Sequence, residues 1–402
     1  MSNIAILGAM WGDEGKGHIT HHLSKEYDWV IRFNGGANAG HTIYRDGVKF
    51  VHNLLPSVDF RVPQVKAYLG AGMVIDLEKL RDEVYDADEV YPGVGKRIYV
   101  DKNAFLVREE HKEEDKAKNA HIGSTNRGIG PAYMDKIGRK GSRVGDLFSR
   151  GYPASREIDI MYQLHSKGVR FVDLAQVRDE MTRGNLLYEG AQGVLLDINQ
   201  GIYPYVSCSD CTVGGIYTSG FHFAPPKTIY GVAKCYTTKV GEGPFPTEIS
   251  GEEAEALRKR GNEYGATTGR PRRVGWLDLP ALEYAVKVGG ITELIMTKFD
   301  ILAGMEKVPV GMLYESPPRN PRDFFDAKPQ YVSMKGWPGV QKIKQTWVDE
   351  HSDPEDDPAD LEYFDYPHDL YEFIRQVEKS VGCIVRYIST GTDSKDILKW
   401  HP

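Results

Sequence analysis

The stretch NIAILGAMWGDEGKGHIT, residues 3–20, decides how the chain begins to fold. Its apolar run NIAIL predicts a buried strand, and GHITHHLSKEY, residues 17–27, predicts a helix. The turn between them brings Gly12, Gly15 and Gly17 around Lys16. Backbone N–H groups, a lysine and a helix N-terminus suit a phosphate group. We therefore expect a phosphate-binding turn rather than a plain strand-to-helix connection.

This turn departs from the Walker A motif, which reads G-x-x-x-x-G-K-[ST]. When Gly15 and Lys16 are aligned with that motif, Met10 stands at its first glycine. Gly17 then stands where a serine or threonine hydroxyl would bind magnesium. The turn keeps the features that bind phosphate but lacks the residues that define a P-loop NTPase.

Two carboxylates, Asp13 and Glu14, lie inside this turn, where a polyphosphate would repel them. An aspartate is useful there if it holds Mg²⁺, which commonly bridges phosphates to one carboxylate. It is also useful if it removes a proton from a substrate N–H. We predict one or both of these roles for Asp13. For Glu14 we expect a side chain that faces solvent or that stabilises the positive end of the helix dipole.

The motif NAGHT, residues 38–42, follows a second predicted strand, DWVIRF, residues 28–33. A histidine between a glycine and a threonine can reach a phosphate or act as an acid, although an isolated histidine is more often structural. In α/β sheets the ligand-binding loops meet at the carboxyl ends of the strands. We therefore expect His41 to lie near the first loop.

Apolar strands followed by glycine-rich polar loops recur along the whole chain. This pattern predicts an α/β fold, with residues 1–402 in a single large domain. We expect a central, mostly parallel sheet, the P-loop-like phosphate turn, and helical and small β-hairpin insertions. HTIYRDGVKFVHNL, residues 41–54, predicts a hairpin that turns at Asp46 and Gly47. Residues 349–367, which include HSDPEDDPADLEYFDYP, predict an acidic surface insertion.

Composition narrows the class of protein. The 402 residues carry a formal net charge of −7, which argues against a nucleic-acid partner. Mean hydropathy is −0.44, and neither a membrane-spanning run nor a signal peptide is found. We expect a cytoplasmic protein with no membrane partner. The four scattered cysteines fit a reducing compartment, and we interpret the C-x-x-C of Cys208 and Cys211 as coincidence.

The two glycine motifs belong to a longer series. WGDEGKG, NAGHT, IGSTNRGIGPAYMDK, YEGAQGVLLDINQGIYPYV, VGEGPFPTE, GNEYGATTGRPRRVGWLD, TKFD and ISTG follow one another along the chain. The series resembles the adenylosuccinate synthetase family, from about residue 4 to about residue 397. Residues 149–183 are shorter than the family's usual segment. Five positions near the nucleotide pockets differ from the family's usual residues: Met10, His18, Asn126, Ser207 and Cys208.

The resemblance implies a ligase of purine biosynthesis that joins IMP and L-aspartate. GTP is the co-substrate, Mg²⁺ the cofactor, and the products are adenylosuccinate, GDP and phosphate. Asp13 would remove the N1 proton of the base and, with Gly40, bind Mg²⁺. The 6-oxyanion would attack the γ-phosphate while His41 acts as the acid at the leaving diphosphate, with Lys16 and Gln192 completing the catalytic group. The amine of aspartate would then displace phosphate at C6.

The resemblance also implies binding residues, and a homodimer. The substrate nucleotide would contact Asn38, Thr125, Gln192, Ser207, Val240 and Arg270, with Arg139 reaching across from the second subunit. L-aspartate would contact Arg127, Thr267, Thr268, Arg270 and Arg272. GTP would contact Gly12, Asp13, Glu14, Gly15, Lys16, Gly17, Gly40, His41, Thr42, Arg272, Lys298, Asp300, Ser389 and Gly391. Residues 100–185 would form a helical subregion for substrate binding and dimerisation.

Two other functions stay open beside this one. A related branch in some phages and archaea makes 2-amino-(deoxy)adenylosuccinate from GMP or dGMP, with ATP or GTP. That branch tends to lose the aspartate of the first loop, whereas Asp13 is present here, so we favour IMP. A GTPase-like nucleotide-binding switch, suggested by the lysine loop and TKFD, would need a hydroxyl where Gly17 stands.

Overall fold

Short apolar strands form the core of the fold, as the runs IAILG, WVIR and LLYE illustrate. The computed structural model describes residues 2–45, 48–118, 123–265, 269–339, 366–393 and 396–400. Its strands, in chain order, are β1 (Ile4–Gly8), β2 (Trp29–Arg32), β3 (His41–Arg45), β4 (Val48–His52), β5 (Lys66–Leu69), β6 (Val74–Ile75), β7 (Ile98–Asp101), β8 (Phe105–Leu106), β9 (Arg170–Val172), β10 (Leu186–Glu189), β11 (Thr228–Lys234), β12 (Tyr236–Lys239), β13 (Arg273–Asp278), β14 (Glu293–Thr297), β15 (Lys307–Tyr314), β16 (Pro329–Lys335), β17 (Ile384–Ser389) and β18 (Ile397–Lys399).

Two of the helices begin at an aspartate that caps their first turn. Asp76 and Asp278 accept the N–H groups of Lys79 and Ala281 at the starts of these helices. In chain order the helices are α1 (Lys16–Ser24), α2 (Leu77–Val90), α3 (Glu109–Lys118), α4 (Ile129–Gly138), α5 (Arg156–Ser166), α6 (Leu174–Met181), α7 (Gly214–Thr218), α8 (Gly251–Gly261), α9 (Leu279–Gly289), α10 (Phe299–Leu302) and α11 (His368–Val381). In the part of the chain that the structure describes, no helix is long and apolar enough to cross a membrane.

Ten strands of the described chain form one central sheet, in the order β18-β17-β14-β11-β1-β10-β2-β5-β7-β9. Every neighbouring pair is parallel except β17 with β18, which is antiparallel. The central strand β1 is buried along its whole length, as expected for a parallel strand with both faces covered. The predicted α/β fold with a mostly parallel central sheet is confirmed.

Side chains alternate between the two faces of this sheet and pack into two apolar clusters. Ala5 and Leu7 of β1 belong to one cluster, and Ile4 and Ile6 belong to the other. The first cluster also contains α9 and α11 side chains, and the second contains side chains of α1 and α2. Helical layers therefore cover both faces, which leaves the edge at the carboxyl ends of the strands for ligand loops.

Smaller sheets flank the central one. β12, β13, β15 and β16 form a four-stranded sheet, β6 pairs with β8, and β3 with β4. The predicted hairpin is present as the antiparallel pair β3–β4, in which His41 lies opposite His52. Its predicted turn, Asp46 and Gly47, lies outside the described residues, as does the predicted acidic insertion up to residue 365.

Residues 100–185 contain the helices α3 to α6. They also contain β9, which pairs in parallel with β7 at one edge of the central sheet. The segment is therefore joined to the sheet and is mixed rather than purely helical. Its role in substrate binding and dimerisation stays a prediction, as does the assignment of residues 1–402 to one domain.

Candidate active site

A cavity of about 440 Å³ opens at the carboxyl ends of the central strands. The loops that follow β1, β10, β12, β14 and β17 line it, together with residues 38–42 at the start of β3. In the sheet, the connection from β1 to β2 runs toward the edge formed by β9. The connection from β10 to β11 runs in the opposite direction, toward the edge formed by β18. Such a change of direction creates a crevice between loops, which is where open α/β sheets bind ligands.

The first loop curves because its backbone takes the left-handed conformation at three positions. Gly12, Asp13 and Gly15 have φ angles of 88°, 61° and 97°. Gly17 is close to the neighbouring strand, since a Cβ on it would lie 2.7 Å from the Cβ of His41. There is thus no room at this position for the hydroxyl side chain of a Walker motif, which explains the departure from that motif.

Glu14 is buried inside the loop, so the expectation that it faces solvent was wrong. One of its oxygens accepts the N–H groups of Met10 at 3.1 Å and Gly12 at 2.7 Å. The other lies 2.8 Å from Lys16 Nζ, and both side chains are 3% exposed. The loop is further tied to β14 by the Thr297 hydroxyl, which donates to the Glu14 carbonyl at 2.8 Å. Glu14 therefore holds the loop backbone and the lysine in place from within.

Asp13 faces the cavity and is paired with an arginine from a distant part of the chain. Its Oδ2 lies 2.7 Å from Arg272 Nε, and its side chain is 29% exposed. Arg272 Nη1 lies 2.7 Å from Oε2 of the buried Glu263. The arginine thus joins the first loop to the segment GNEYGATTGRPRR, as expected of a shared site.

His41 lies against a second buried carboxylate. Its Nδ1 is 2.6 Å from Glu189 Oε1, and the N–H of Ser57 donates to Glu189 Oε2 at 2.9 Å. Burial would raise the pKa of Glu189, but the His41 ring and the nearby Arg32 outweigh it and lower this pKa to about 2. Burial lowers the pKa of His41, against the opposing effect of Glu189. A charged Glu189 therefore accepts Nδ1–H, and Nε2 is left for the cavity.

The other end of the cavity carries Lys298 and Asp300, which follow β14. Lys298 has a φ of 70° and donates to the Gly261 carbonyl at 3.2 Å. Asp300 Oδ1 is buried and has no hydrogen-bond partner among the described residues, and burial raises the pKa of this carboxyl. A buried acceptor without a donor is costly, so this oxygen is suited to a ligand N–H. Ser389 and Gly391 line the same end.

A third part of the lining joins polar side chains from several loops. Asn38, Thr125, Gln192, Ser207 and Val240 all line the cavity. Ser207 Oγ is buried without a hydrogen-bond partner in the described part of the chain. Gln192 has a φ of 56°, so a strained backbone directs this residue at the end of the YEGAQ motif.

The structure places most, but not all, of the sequence-predicted residues in this cavity. The predicted residues that line it are Gly12, Asp13, Glu14, Gly15, Lys16, Gly17, Asn38, Gly40, His41, Thr42, Thr125, Gln192, Ser207, Val240, Arg272, Lys298, Asp300, Ser389 and Gly391. Arg127, Arg139 and Arg270 are not among the lining residues, and Arg139 and Arg270 are exposed. Thr267 and Thr268 lie outside the described residues.

Sequence reasoning missed several residues of the site. Glu189 lies in the motif YEGAQGVLLDINQGIYPYV. The feature that could have identified it is a carboxylate at the end of an apolar strand. Lys239 and Glu242 flank Val240 in the lining. Asp115 also lines the cavity and accepts bonds from Ser124 Oγ at 2.7 Å and Gly128 N at 3.0 Å. Asp115 could not be singled out from the sequence because it is one of many charged residues in the helix EEHKEEDKAK.

Comparisons with known proteins identify the family. The family model "Adenylosuccinate synthetase" matches residues 5–183 and 156–398. The adenylosuccinate synthetase of Petrotoga mobilis is 40% identical over 99% of this chain and 97% of its own length. That of Thermus thermophilus is 40% identical over 98% of both. The structure of the fully ligated adenylosuccinate synthetase from Plasmodium falciparum covers 100% of both chains, with a TM-score of 0.86 and 32% identity.

The chain belongs to the adenylosuccinate synthetase family. It is therefore a GTP-dependent ligase, and the family implies IMP, L-aspartate and GTP as its substrates. The prediction made from the motif series is confirmed. The full-length match leaves no support for a GTPase-like switch.

A second solved structure is similar in fold alone. The cyanophage S-2L succinoaminodeoxyadenylate synthetase, bound to dGMP and dATP, has a TM-score of 0.68 and 22% identity. It covers 99% of this chain and 95% of its own. Such an identity shows a shared fold and does not transfer the phage enzyme's substrates to this member of the adenylosuccinate synthetase family.

Among the described residues, no group of three or more His, Cys, Asp or Glu side chains is arranged to hold a metal ion. The four cysteines are free thiols. Cys211 is buried, and its N–H donates to Asp197 Oδ2 at 2.6 Å, whereas Cys208 lines the cavity. These two cysteines of the C-x-x-C motif therefore have different surroundings.

Proposed function

We propose that this cavity forms adenylosuccinate from IMP and L-aspartate, with Asp13 as the general base and His41 as the general acid. The observation that carries the proposal is the convergence of these two side chains with Lys16 and Gln192 on one cavity. The four residues come from three loops that are far apart in the sequence. Phosphoryl transfer depends on positioning and on charge neutralisation, which such a group of residues supplies.

The reaction proceeds in two balanced steps. Asp13 takes the N1 proton of IMP, and the resulting 6-oxyanion attacks the γ-phosphoryl group of GTP. GDP leaves, and His41 donates Nε2–H to the charge that develops on its β-phosphate, in the doubly protonated form that the charged Glu189 and the polyphosphate favour. The free amine of L-aspartate then adds at C6 and the C6–O bond breaks. Phosphate leaves with the former oxygen and takes the proton that the amine loses, and adenylosuccinate remains. Phosphorylation is needed because the C6 oxygen alone is a poor leaving group.

The end of the cavity at Asp300 binds the guanine base of GTP. The Asp300 carboxylate, whose Oδ1 lacks a donor among the described residues, accepts from the N1–H and 2-amino groups of guanine, one on each oxygen. Lys298, Ser389 and Gly391 complete this base site. The phosphates extend to the first loop, where Lys16, Gly12, Gly15, Gly17, Gly40 and Thr42 meet them together with Asp13 and His41. Glu14 serves this GTP site from within, because it holds Lys16 and the loop backbone.

The substrate nucleotide occupies the part of the cavity lined by Asn38, Thr125, Gln192, Ser207 and Val240. Ser207 Oγ, buried without a partner in the described chain, suits an oxygen of its 5′-phosphate. Arg270 lies at the margin of this site, because it does not line the cavity of the free chain.

Arg139 acts from the partner subunit of a homodimer. It ends α4 with a φ of 58° and is exposed rather than turned toward its own cavity. Met134 and Ile137 of the same helix are 56% and 79% exposed. Large apolar side chains beside an exposed arginine are typical of a surface that packs against another subunit.

L-aspartate binds at Arg272 and at the segment that precedes it. Arg272, Arg270 and Arg127 supply guanidinium groups, which bind carboxylates in a bidentate way. Thr267 and Thr268 supply hydroxyl groups. Arg272 already holds the carboxylate of Asp13 at 2.7 Å, so it is preorganised for the carboxylate of a substrate.

Mg²⁺ fits the donors at the first loop. Asp13 offers a carboxylate and Gly40 a backbone carbonyl, both lining the cavity, and hard oxygen atoms are the ligands that this ion prefers. Asp13 and Gly40 would hold the ion. When bound, it would neutralise charge on the phosphates of GTP.

We place the protein in the cytoplasm, since free cysteines fit a reducing compartment. An assay of the purified protein tests the proposed reaction. L-aspartate and Mg²⁺ are supplied with GTP or ATP and with IMP, GMP or dGMP, and products are identified by mass. Adenylosuccinate formed from IMP and GTP is the expected result. A 2-amino product from GMP or dGMP, with none from IMP, would overturn the choice of IMP.

A further inference from the structure

Glu263 is a buried carboxylate that lies behind Arg272, outside the set of residues assigned to substrates. Its side chain is 1% exposed. Oε2 lies 2.7 Å from Arg272 Nη1, and Oε1 lies 2.7 Å from Lys234 Nζ. The Tyr236 hydroxyl donates to the same Oε1. One carboxylate thus receives an arginine, a lysine and a phenol in a site closed to water.

The backbone around Glu263 closes the neck of a loop. Arg272 N donates to the Glu263 carbonyl at 2.9 Å, and Gly265 N donates to the Arg270 carbonyl at 2.8 Å. Tyr264 and Pro271 form a bridge between these two bonds. The described residues on either side, Tyr264 and Gly265 before and Arg270 and Pro271 after, are therefore held together next to the bond between Glu263 and Arg272.

The three nitrogen atoms of Arg272 have different surroundings. Nη1 is held by Glu263, and Nε lies 2.7 Å from Asp13 Oδ2. No described residue accepts a hydrogen bond from Nη2, and Arg272 lines the cavity. The planar guanidinium has a rigid geometry, so fixing Nη1 and Nε also fixes the direction of Nη2.

We propose that Glu263 is a positioning residue for L-aspartate, because it holds Arg272 and the loop neck so that Nη2 meets a substrate carboxylate. The inference rests on the proposed function and adds a residue to it. Glu263 contacts no substrate itself and acts through Arg272.

A purely electrostatic role and a positioning role for Glu263 predict opposite changes in the affinity for L-aspartate when its charge is removed. Replacing Glu263 by Gln removes a negative charge beside Lys234, Arg272 and Lys298, all of which lower the pKa of Glu263. If charge alone mattered, the dicarboxylate substrate would bind more tightly to this variant. If Glu263 positions Arg272, the released guanidinium turns toward Asp13 and L-aspartate binds less tightly.

Steady-state kinetics of the E263Q variant distinguishes the electrostatic role of Glu263 from the positioning role. We expect the KM for L-aspartate to rise by at least about tenfold, the size of one lost charged hydrogen bond. The KM for IMP should stay within about twofold, and the KM for GTP, which Arg272 is also expected to contact, should rise less than the KM for L-aspartate. E263D, which keeps the charge, should recover part of the loss. The control E283Q removes a surface carboxylate from helix α9, where Glu283 pairs with Lys287, and should match wild type.

An unchanged or lowered KM for L-aspartate in folded E263Q would overturn the inference. A uniform rise of all three KM values would also overturn it, because that pattern indicates general loss of structure. If E263Q does not fold, the K234Q/E263Q double variant carries the same test, since it leaves no unpaired buried lysine. Wild type that makes no adenylosuccinate would instead contradict the proposed function, so the two failures are distinguishable.

Discussion

Arg272 Nε lies 2.7 Å from Asp13 Oδ2, so the proposed general base is ion-paired before any substrate binds. Asp13 also has a φ of 61°, a conformation that costs energy for a residue other than glycine. Both features indicate that the loop is built to direct this one carboxylate into the cavity. Arg272 pairs with one oxygen of this carboxylate, and the proton transfer that we propose from N1–H would use the other, which would link the aspartate site to the first chemical step.

Replacing Asp13 by Asn should stop turnover and leave the fold intact. Asn tolerates a positive φ better than Ala does, so D13N tests the chemistry without adding backbone strain. Loss of a general base costs a factor on the order of 10² to 10⁴ in kcat. The measurement is adenylosuccinate formation beside a thermal melt. Near-normal turnover by a folded D13N protein would remove Asp13 from the role of base.

Replacing Glu14 by Gln should destabilise the protein. Gln keeps the acceptor for Met10 N and Gly12 N, but it leaves Lys16 as a buried cation without its partner. Removing one member of a buried ion pair costs on the order of 3 kcal/mol. Urea denaturation without ligands measures the change. The matched control E283Q breaks the exposed Glu283–Lys287 pair of α9 and should change stability by less than about 0.5 kcal/mol. Equal effects in both variants would contradict the structural role given to Glu14.

The meeting of Asp13 and His41 at one cavity could be predicted because it needs only the order of strands and loops. In a parallel sheet, the carboxyl ends share one edge, whatever the details of packing. The confirmed central sheet follows from the same reasoning. Residues such as Lys298 and Asp300 were placed by family resemblance, and their cavity position agrees with the strand that precedes them.

Glu14, Glu189 and Glu263 could not be placed in this way. The direction of the Glu14 side chain depends on the left-handed backbone at Asp13 and Gly15, which local propensity does not predict. The bond between His41 and Glu189 joins residues 148 positions apart and requires α1 to pack against both β3 and β10. Contacts of this kind arise from tertiary packing, which sequence patterns describe poorly.

Replacing Asp300 by Asn should change the purine that the triphosphate site accepts. The carboxylate accepts two N–H groups of guanine, whereas an amide offers one acceptor and one donor. That pattern matches the N1–H and O2 of xanthine. A site built to hydrogen-bond its substrate discriminates strongly, so we expect the KM for GTP to rise by about 10- to 100-fold. Xanthosine triphosphate should support turnover of D300N better than of wild type. If GTP kinetics are unchanged, the guanine site lies elsewhere.

The buried carboxyl of Asp278 should make the free energy of unfolding depend on pH. It caps α9 and accepts the Tyr314 hydroxyl at 2.7 Å, yet burial raises its pKa to about 6, against these hydrogen bonds. Because the folded pKa exceeds the unfolded one, the carboxyl contributes most stability at low pH and loses it as pH rises through about 6.

The variant D278N keeps the capping oxygen and does not ionise. It should resemble wild type at pH 4 and be more stable at pH 8, by about 2 to 3 kcal/mol for a shift of this size, and most of the difference should develop between about pH 4 and pH 6. Urea denaturation at the two pH values measures the difference. If the free energies of unfolding of D278N and wild type change in parallel with pH, Asp278 does not titrate in this range.

Hybrid dimers test whether Arg139 acts across the subunit interface. Chains carrying R139L and D13N are co-expressed with different tags, and the hybrid is isolated by both tags. Each homodimer should be inactive. In the hybrid, the R139L chain keeps its own Asp13 and receives Arg139 from its partner, so one site of the two is intact. We expect about half of the wild-type turnover per dimer.

The reciprocal hybrid carries wild type on one side and the R139L/D13N double variant on the other. If Arg139 acts in trans, the wild-type chain lacks its arginine and the double variant lacks its base, so this hybrid is inactive. If Arg139 acts within its own chain, the two outcomes exchange: the reciprocal hybrid keeps about half of the activity and the first hybrid has none. A fully active monomer in sedimentation experiments would exclude the trans role altogether, because no partner would then be present to supply the guanidinium.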